Sequence, residues 1–258
     1  KRLGLYIKLS RKFESFFDLY IGIMDIFSQF LNQISETSLP IIDTGISLDC
    51  YMSIDISESN TTALDFNVAD SGDWEKYINL YLSEQDNQVA YGGYLEKRNL
   101  YDRSAYFRNI ADQNKRNIHL GVDLWCTAGT KVLAVLKGEV HSFKDNNNYG
   151  DYGPTIIIKH SIAAETFYTL YGHLSTDSIK DVQIGTVIAQ GEIIGNVGSS
   201  AVNGDYAPHL HFQIIRNLAR NFGDYPGVAS ENDISFYINN CPDPNLLLKL
   251  DLKTDPSF

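Results

Sequence analysis

From residue 117 onward the chain is written in short apolar or alternating runs: HLGVDLWC, TKVLAVLKGEVHSF, PTIIIKH, TFYTLYGHL, TVIAQGEIIGNVG and HLHFQII. Clusters rich in Gly, Asn, Asp and Pro, such as KDNNNYGDYGP and SSAVNGDYAP, separate them. Runs this short have the length of strands, and the punctuation supplies tight turns between them. The pattern predicts a mainly β unit, an antiparallel β-sandwich or barrel-like domain. Aromatic residues make up 12% of the chain, which favours strands further.

The upstream half reads differently. Residues 13–34, FESFFDLYIGIMDIFSQFLNQI, place apolar side chains at helical spacing. Asp18 and Asp25 within that run would each cost roughly 2.5–3.5 kcal/mol near a bilayer centre. A packed amphipathic helix is therefore expected rather than a membrane span, and the chain is not read as an integral membrane protein. Residues 35–70 resemble a linker with one or two short strands. DWEKYINLYLSEQD predicts a helix over 73–86, with Asp73 and Glu75 favourable near its positive end. The expected organisation is a helical N-terminal extension and linker over 1–60, which could be the truncated end of another domain. A lead-in segment over 61–116 packs on the core, and the β domain fills 117–258, giving an α+β chain overall. The chain begins at Lys1 rather than Met and so reads as a fragment or a processed product, which makes the absence of a signal peptide from it uninformative.

A formal net charge of −11 argues against nucleic acid, or any anionic polymer, held by bulk electrostatics. Three scattered cysteines, Cys50, Cys126 and Cys241, are too few for a disulfide framework or a thiolate metal site.

The histidines are more informative. Four of the six lie in compact contexts within the β region: HLGVD (His119), YGHL (His173) and APHLHFQII (His209 and His211). Strand side chains alternate between faces, so His209 and His211 should project the same way, and His119 and Asp123 have an even separation in an extended segment. Singly, each has a bland reading as a core or surface histidine. Together they offer neutral imidazole nitrogens and a carboxylate, a set that suits Zn²⁺. A hydrolytic zinc site uses three protein ligands and keeps a fourth position open. Two histidines would then remain for proton handling. His141 and His160 are expected to be partly exposed strand-end residues. Trp125 and Cys126 should be core, and Tyr171 is a weak candidate for lining a groove.

HLGVD, YGHL and HLHF, in that order, resemble the H-x-x-x-D, G-H-L and H-x-H motifs of the M23 peptidase family, the lysostaphin- and LytM-like zinc endopeptidases. The intervening text, AGTKVLAVLKGEV, YGPTIIIKH and VQIGTVIAQGEIIGNVGSS, is similar too, so the resemblance covers about residues 117–216. One departure is Ala207-Pro208 where Gly-Pro is more usual, which removes no functional group. The resemblance implies one Zn²⁺ per chain on His119, Asp123 and His211, with His173 and His209 as the catalytic pair that does not bind metal. It further implies hydrolysis of peptide bonds in peptidoglycan cross-links or stem peptides, at the cell envelope or in another extracytoplasmic setting. Which of His173 and His209 acts as base and which stabilises the oxyanion is left open. The alternative is a non-catalytic M23-like module that binds peptidoglycan or regulates a larger protein. A cupin-like reading lacks the glutamate expected after the H-x-H. A lipoyl-carrier reading lacks the Met-Lys turn.

Overall fold

The computed structural model describes residues 25–43, 45–60, 70–99 and 114–250. Among these residues there are twelve strands: β1 (Tyr51–Ser53), β2 (Val89–Gly92), β3 (Ile118–His119), β4 (Val122–Trp125), β5 (Lys131–Leu133), β6 (Gly138–Asn146), β7 (Gly153–Ile162), β8 (Glu165–Gly172), β9 (Val187–Ile188), β10 (Ile193–Asn196), β11 (His209–Ile215) and β12 (Val228–Ala229). Eight form one sheet in the order β1-β2-β4-β11-β8-β7-β6-β9, and the pairs β5–β10 and β3–β12 stand apart from it. Among these strands β1 and β2 run parallel and the other pairs are antiparallel.

Among the described residues four α-helices accompany the strands: α1 (Ile26–Ile34), α2 (Ser71–Glu84), α3 (Ile234–Asn240) and α4 (Asn245–Leu248). The Asp25 carboxylate caps α1 by accepting the Ser28 N–H, and Asp70 caps α2 by accepting the Asp73 N–H. Each satisfies an orphan donor of a first helical turn. Of the helix expected over 13–34, the part from Ile26 forms α1, while 13–24 lie outside the described residues. No helix among the described residues is long and apolar enough to cross a membrane.

The expected sandwich or barrel does not form. The strand order runs from β1 at one edge to β9 at the other, so the large sheet is open, and among the described residues no second large sheet faces it. The helices are not gathered in the N-terminal extension either. The longest described helix, α2, belongs to the lead-in segment, and α3 and α4 lie near the C-terminal end. The physical reason lies in the burial pattern. On β11, Leu210, Phe212 and Ile214 join a core with Phe27 and Leu31 of α1 and Val132 of β5. On the opposite face, Ile215 packs with Leu218, Tyr225 and Cys241. Toward the β1–β2 end, Trp125 packs with Trp74, Ile78 and Leu82 of α2. Helices, loops and the two small strand pairs cover both faces, so β4 and β11 are buried throughout and need no partner sheet.

Candidate metal centre

His209, His211 and Gln213 share one face of β11 because strand side chains alternate, and all three are buried. Asp123 is the register partner of His211 on β4, and Gly172, the residue before His173, is its partner on β8. His173 follows the end of β8 with φ of 61°, in the left-handed region, which turns its side chain out of the strand direction. His119 ends β3, which pairs with β12 rather than with the large sheet. His119 and Asp123 thus do not share one extended strand; a bend at Gly121 separates β3 from β4. A Cβ at Gly121 would lie 2.6 Å from His211 Cε1, so glycine is what lets this corner approach the imidazole.

The donor atoms of the three strand-borne residues form a tight triangle. His119 Nε2 is 2.9 Å from His211 Nδ1 and 3.3 Å from Asp123 Oδ1, and His211 Nδ1 is 3.1 Å from Asp123 Oδ1. Each of the three residues is 2% exposed. Their outer partners set the tautomers. His119 Nδ1 lies 2.9 Å from the Gly93 carbonyl, which only accepts, so Nδ1 carries the proton and Nε2 is bare. Gln213 Nε2 donates to the Pro226 carbonyl at 3.1 Å, which turns its Oε1 toward His211 Nε2 at 3.0 Å. The proton of His211 is therefore on Nε2, and its Nδ1 is bare. Three lone-pair atoms face one another with no proton to share, an arrangement that a cation resolves. Zinc bonds of 2.0–2.1 Å in tetrahedral geometry place ligand atoms about 3.3–3.4 Å apart, close to the triangle seen here. A His/Asp/His cluster suited to a metal ion is thus present.

The remaining two imidazoles stand beside it. The His173 and His209 ring centroids are 4.2 Å apart, and His209 Nε2 is 3.8 Å from Asp123 Oδ1. Each donates its Nδ1–H to a backbone carbonyl, His173 to Asn203 at 2.8 Å and His209 to Ala207 at 2.7 Å. Burial lowers both, and for His173 the neighbouring His209 and His211 push in the same direction, holding it well below its ordinary range. Burial, with Arg98 adding to it, brings His119 down to about 4. Burial alone would raise Asp123, but His119, Arg98 and His209 hold its carboxyl well below the usual range. These groups therefore rest as neutral imidazoles around an ionised carboxylate at neutral pH.

All five side chains line one groove of about 390 Å³, walled further by Trp74, Arg116, Tyr149, Tyr206 and Asp224. Several contributors had no sequence signal. Arg98, 2% exposed, donates from Nη1 to Asp123 Oδ2 at 2.6 Å. The Tyr152 ring centroid sits 5.0 Å from that of His211. Gln213 did have a signal, being the third polar residue in step with His209 and His211. Trp125 is buried as expected, yet it also stacks on His209 at 5.8 Å. Tyr171 is wholly buried with its hydroxyl accepting the Val135 N–H, so it lines no groove. His160 is likewise buried rather than partly exposed, bonded to the Lys137 carbonyl and the Thr169 hydroxyl. Among the described residues it stands outside the cluster.

An open, mainly antiparallel sheet thus carries a buried His/Asp/His cluster suited to a metal ion beside two further imidazoles. Residues 117–221 match the model of peptidase family M23, and this part of the chain belongs to that family. A DD-carboxypeptidase/endopeptidase of Neisseria meningitidis serogroup B is 36% identical over 96 residues, covering 37% of this chain and 20% of that protein. An L-Ala–D-Glu endopeptidase of Bacillus subtilis is 30% identical over 119 residues, covering 43% of this chain and 34% of the relative. The chain thus spans a fifth to a third of the length of these curated relatives. The catalytic domain of lysostaphin from Staphylococcus simulans is similar at 27% identity and a TM-score of 0.34, over 47% of this chain and 80% of that domain.

Proposed function

We propose that this chain is a zinc-dependent endopeptidase that hydrolyses peptide bonds in peptidoglycan cross-links or stem peptides, working at the cell envelope. The observation that carries the reading is the meeting of three unprotonated donor atoms beside two neutral imidazoles in one peptide-sized groove. The relatives named for DD-carboxypeptidase/endopeptidase and L-Ala–D-Glu endopeptidase activities support a substrate of this kind.

His119 Nε2, Asp123 Oδ1 and His211 Nδ1 would hold one Zn²⁺, which when bound acts as a Lewis acid and brings the pKa of a bound water from 15.7 to about 7. His209 and His173 each keep a bare Nε2, because Nδ1–H is committed to a backbone carbonyl. One takes the proton from the attacking water and passes it to the leaving amine, a role worth on the order of 10²–10⁴-fold. The other, once protonated, stabilises the developing oxyanion. The carbonyl anchors keep both rings from turning away, so their orientation needs no reorganisation during the reaction.

A muropeptide digest read by mass spectrometry, with and without a chelator, tests the proposal. Cleaved peptides that vanish on chelation and return with added zinc are expected. Stoichiometric zinc with no cleavage of any muropeptide would replace it with the non-catalytic module.

A further inference from the structure

We infer that the segment 93–98, which lies upstream of the family-matched residues, is a working part of the metal site, and that Arg98 is the positioning residue that makes Asp123 a one-oxygen ligand. The inference deepens the proposed zinc-peptidase reading and rests on it.

The two carboxylate oxygens of Asp123 have different partners. Oδ2 accepts from Arg98 Nη1 at 2.6 Å, while Oδ1 faces His119 Nε2 at 3.3 Å and His211 Nδ1 at 3.1 Å. A carboxylate free to rotate can offer both oxygens to an ion and so take up two coordination positions. The guanidinium removes one of them, which preserves the open position that a hydrolytic site needs. The same segment also sets His119, through the Gly93 carbonyl at 2.9 Å from Nδ1. Two of the three donor residues therefore take their outer partner from this strap.

The strap itself is held firmly. Leu95 N–H donates to the His119 carbonyl, His119 N–H to the Glu96 carbonyl and Arg98 N–H to the Asn117 carbonyl, each at 2.9 Å. Glu96 braces the far side of the guanidinium, accepting from Arg98 Nε at 2.5 Å, and its other oxygen accepts the Ile56 N–H at 2.9 Å. Gly93 has φ of 106°, and a Cβ there would run into the Arg98 guanidinium and stand 2.8 Å from His119 Nδ1. Glycine is the residue that lets the carbonyl and the guanidinium reach the same cluster.

The test uses the full chain and its Arg98→Met, Arg98→Lys and Glu96→Gln variants. Zinc affinity is measured by competition with a chromogenic chelator, and thermal unfolding is followed with and without zinc. Arg98→Met should weaken zinc by about 10–100-fold and shrink the zinc-induced rise in Tm. Arg98→Lys, which keeps the charge but loses the planar fork, should recover part of the loss. Glu96→Gln should show a smaller loss in the same direction. A purely structural role would lower both melting temperatures in parallel and leave zinc affinity at the wild-type value; that result overturns the inference. If Arg98→Met does not fold, wild-type zinc affinity in both other variants overturns it instead. A wild-type chain that takes up no zinc is a different failure, because it removes the proposed function and the role of the strap falls with it.

Discussion

Gly121→Ala isolates the geometry of the site with one added methyl group. The new Cβ would lie 2.6 Å from His211 Cε1, 2.7 Å from His211 Nε2 and 2.6 Å from the Phe212 carbonyl oxygen. Carbon atoms pack at about 3.5 Å or more, so the imidazole must retreat by roughly 0.9 Å. It has little freedom to do so. Its Nε2 is tied to Gln213, the Tyr152 ring stands on another side, and the Phe212 oxygen belongs to the backbone of a central strand. Metal–ligand distances tolerate shifts of about 0.2 Å, several times less than the displacement required. Zinc affinity should fall by roughly 100-fold or more, at or beyond the upper end of losses seen when outer partners are removed. Overpacking adds about 1–3 kcal/mol of destabilisation to the metal-free fold. Chelator competition reads the first effect, and denaturant unfolding in excess chelator reads the second. Wild-type zinc affinity in Gly121→Ala would refute the claim that His211 binds metal from the position it occupies here.

Alanine at His119, Asp123 or His211 should abolish both zinc and turnover, whereas His173→Ala and His209→Ala should keep zinc and lose about 10²–10⁴-fold in kcat. Metal analysis of purified variants checks the division, and a zinc-free His209→Ala beside a zinc-bound His211→Ala would invert it. Gln213→Leu frees the His211 ring and strands the Pro226 carbonyl, and should cost about 10–100-fold in zinc affinity by the same competition assay. His160 supplies a pH dependence that does not involve the metal. Burial takes it down to about 4 from an ordinary value of 6.5, so it stays neutral in the fold while the unfolded chain takes up a proton. The stability it contributes is complete above pH 6.5 and is lost as pH falls toward and through 4, about 3 kcal/mol in all. Urea unfolding across that window should give His160→Gln a shallower slope than wild type, and equal slopes would contradict the assignment.

The strands from β3 to β11 were legible because each lies in a short run closed by turn residues, and β7 and β11 fall where PTIIIKH and HLHFQII place them, whereas β2 and β12 lie in no such run. The helix expected over 73–86 forms at Ser71–Glu84, earlier because Asp70 caps it and Asp73 sits in its first turn. The closure of the sheet was not legible. Ile156, Ile157 and Ile158 are consecutive and all buried, which means that both faces of β7 are covered. A run without alternation carries that information, but it does not say what does the covering. The covers here are α1, α2 and the segment from Leu218 to Cys241, which pack on strands from several parts of the chain. A sandwich is the ordinary way to bury a β face, and the non-local contacts that replace it leave no periodicity to read.

The site divides along the same line, for an electrostatic reason. A donor atom needs a particular chemistry at a particular register, and H-x-H on a strand states both, whereas the pairing of Asp123 across from His211 appears only in the sheet. The partners that fix tautomer and rotamer need only reach, and a backbone carbonyl such as that of Gly93 has no side-chain identity to announce. Arg98 is harder still, since a cation beside Lys97 in GGYLEKRNL is expected in water, and only the assembled fold shows it buried between Glu96 and Asp123. Those silent partners decide whether the imidazoles meet the carboxylate with lone pairs or with protons. A chain could keep HLGVD, YGHL and HLHF intact and still lose its metal through a change at Gly93, Arg98 or Gln213. Family motifs alone would not separate that chain from a competent one, whereas a zinc titration would.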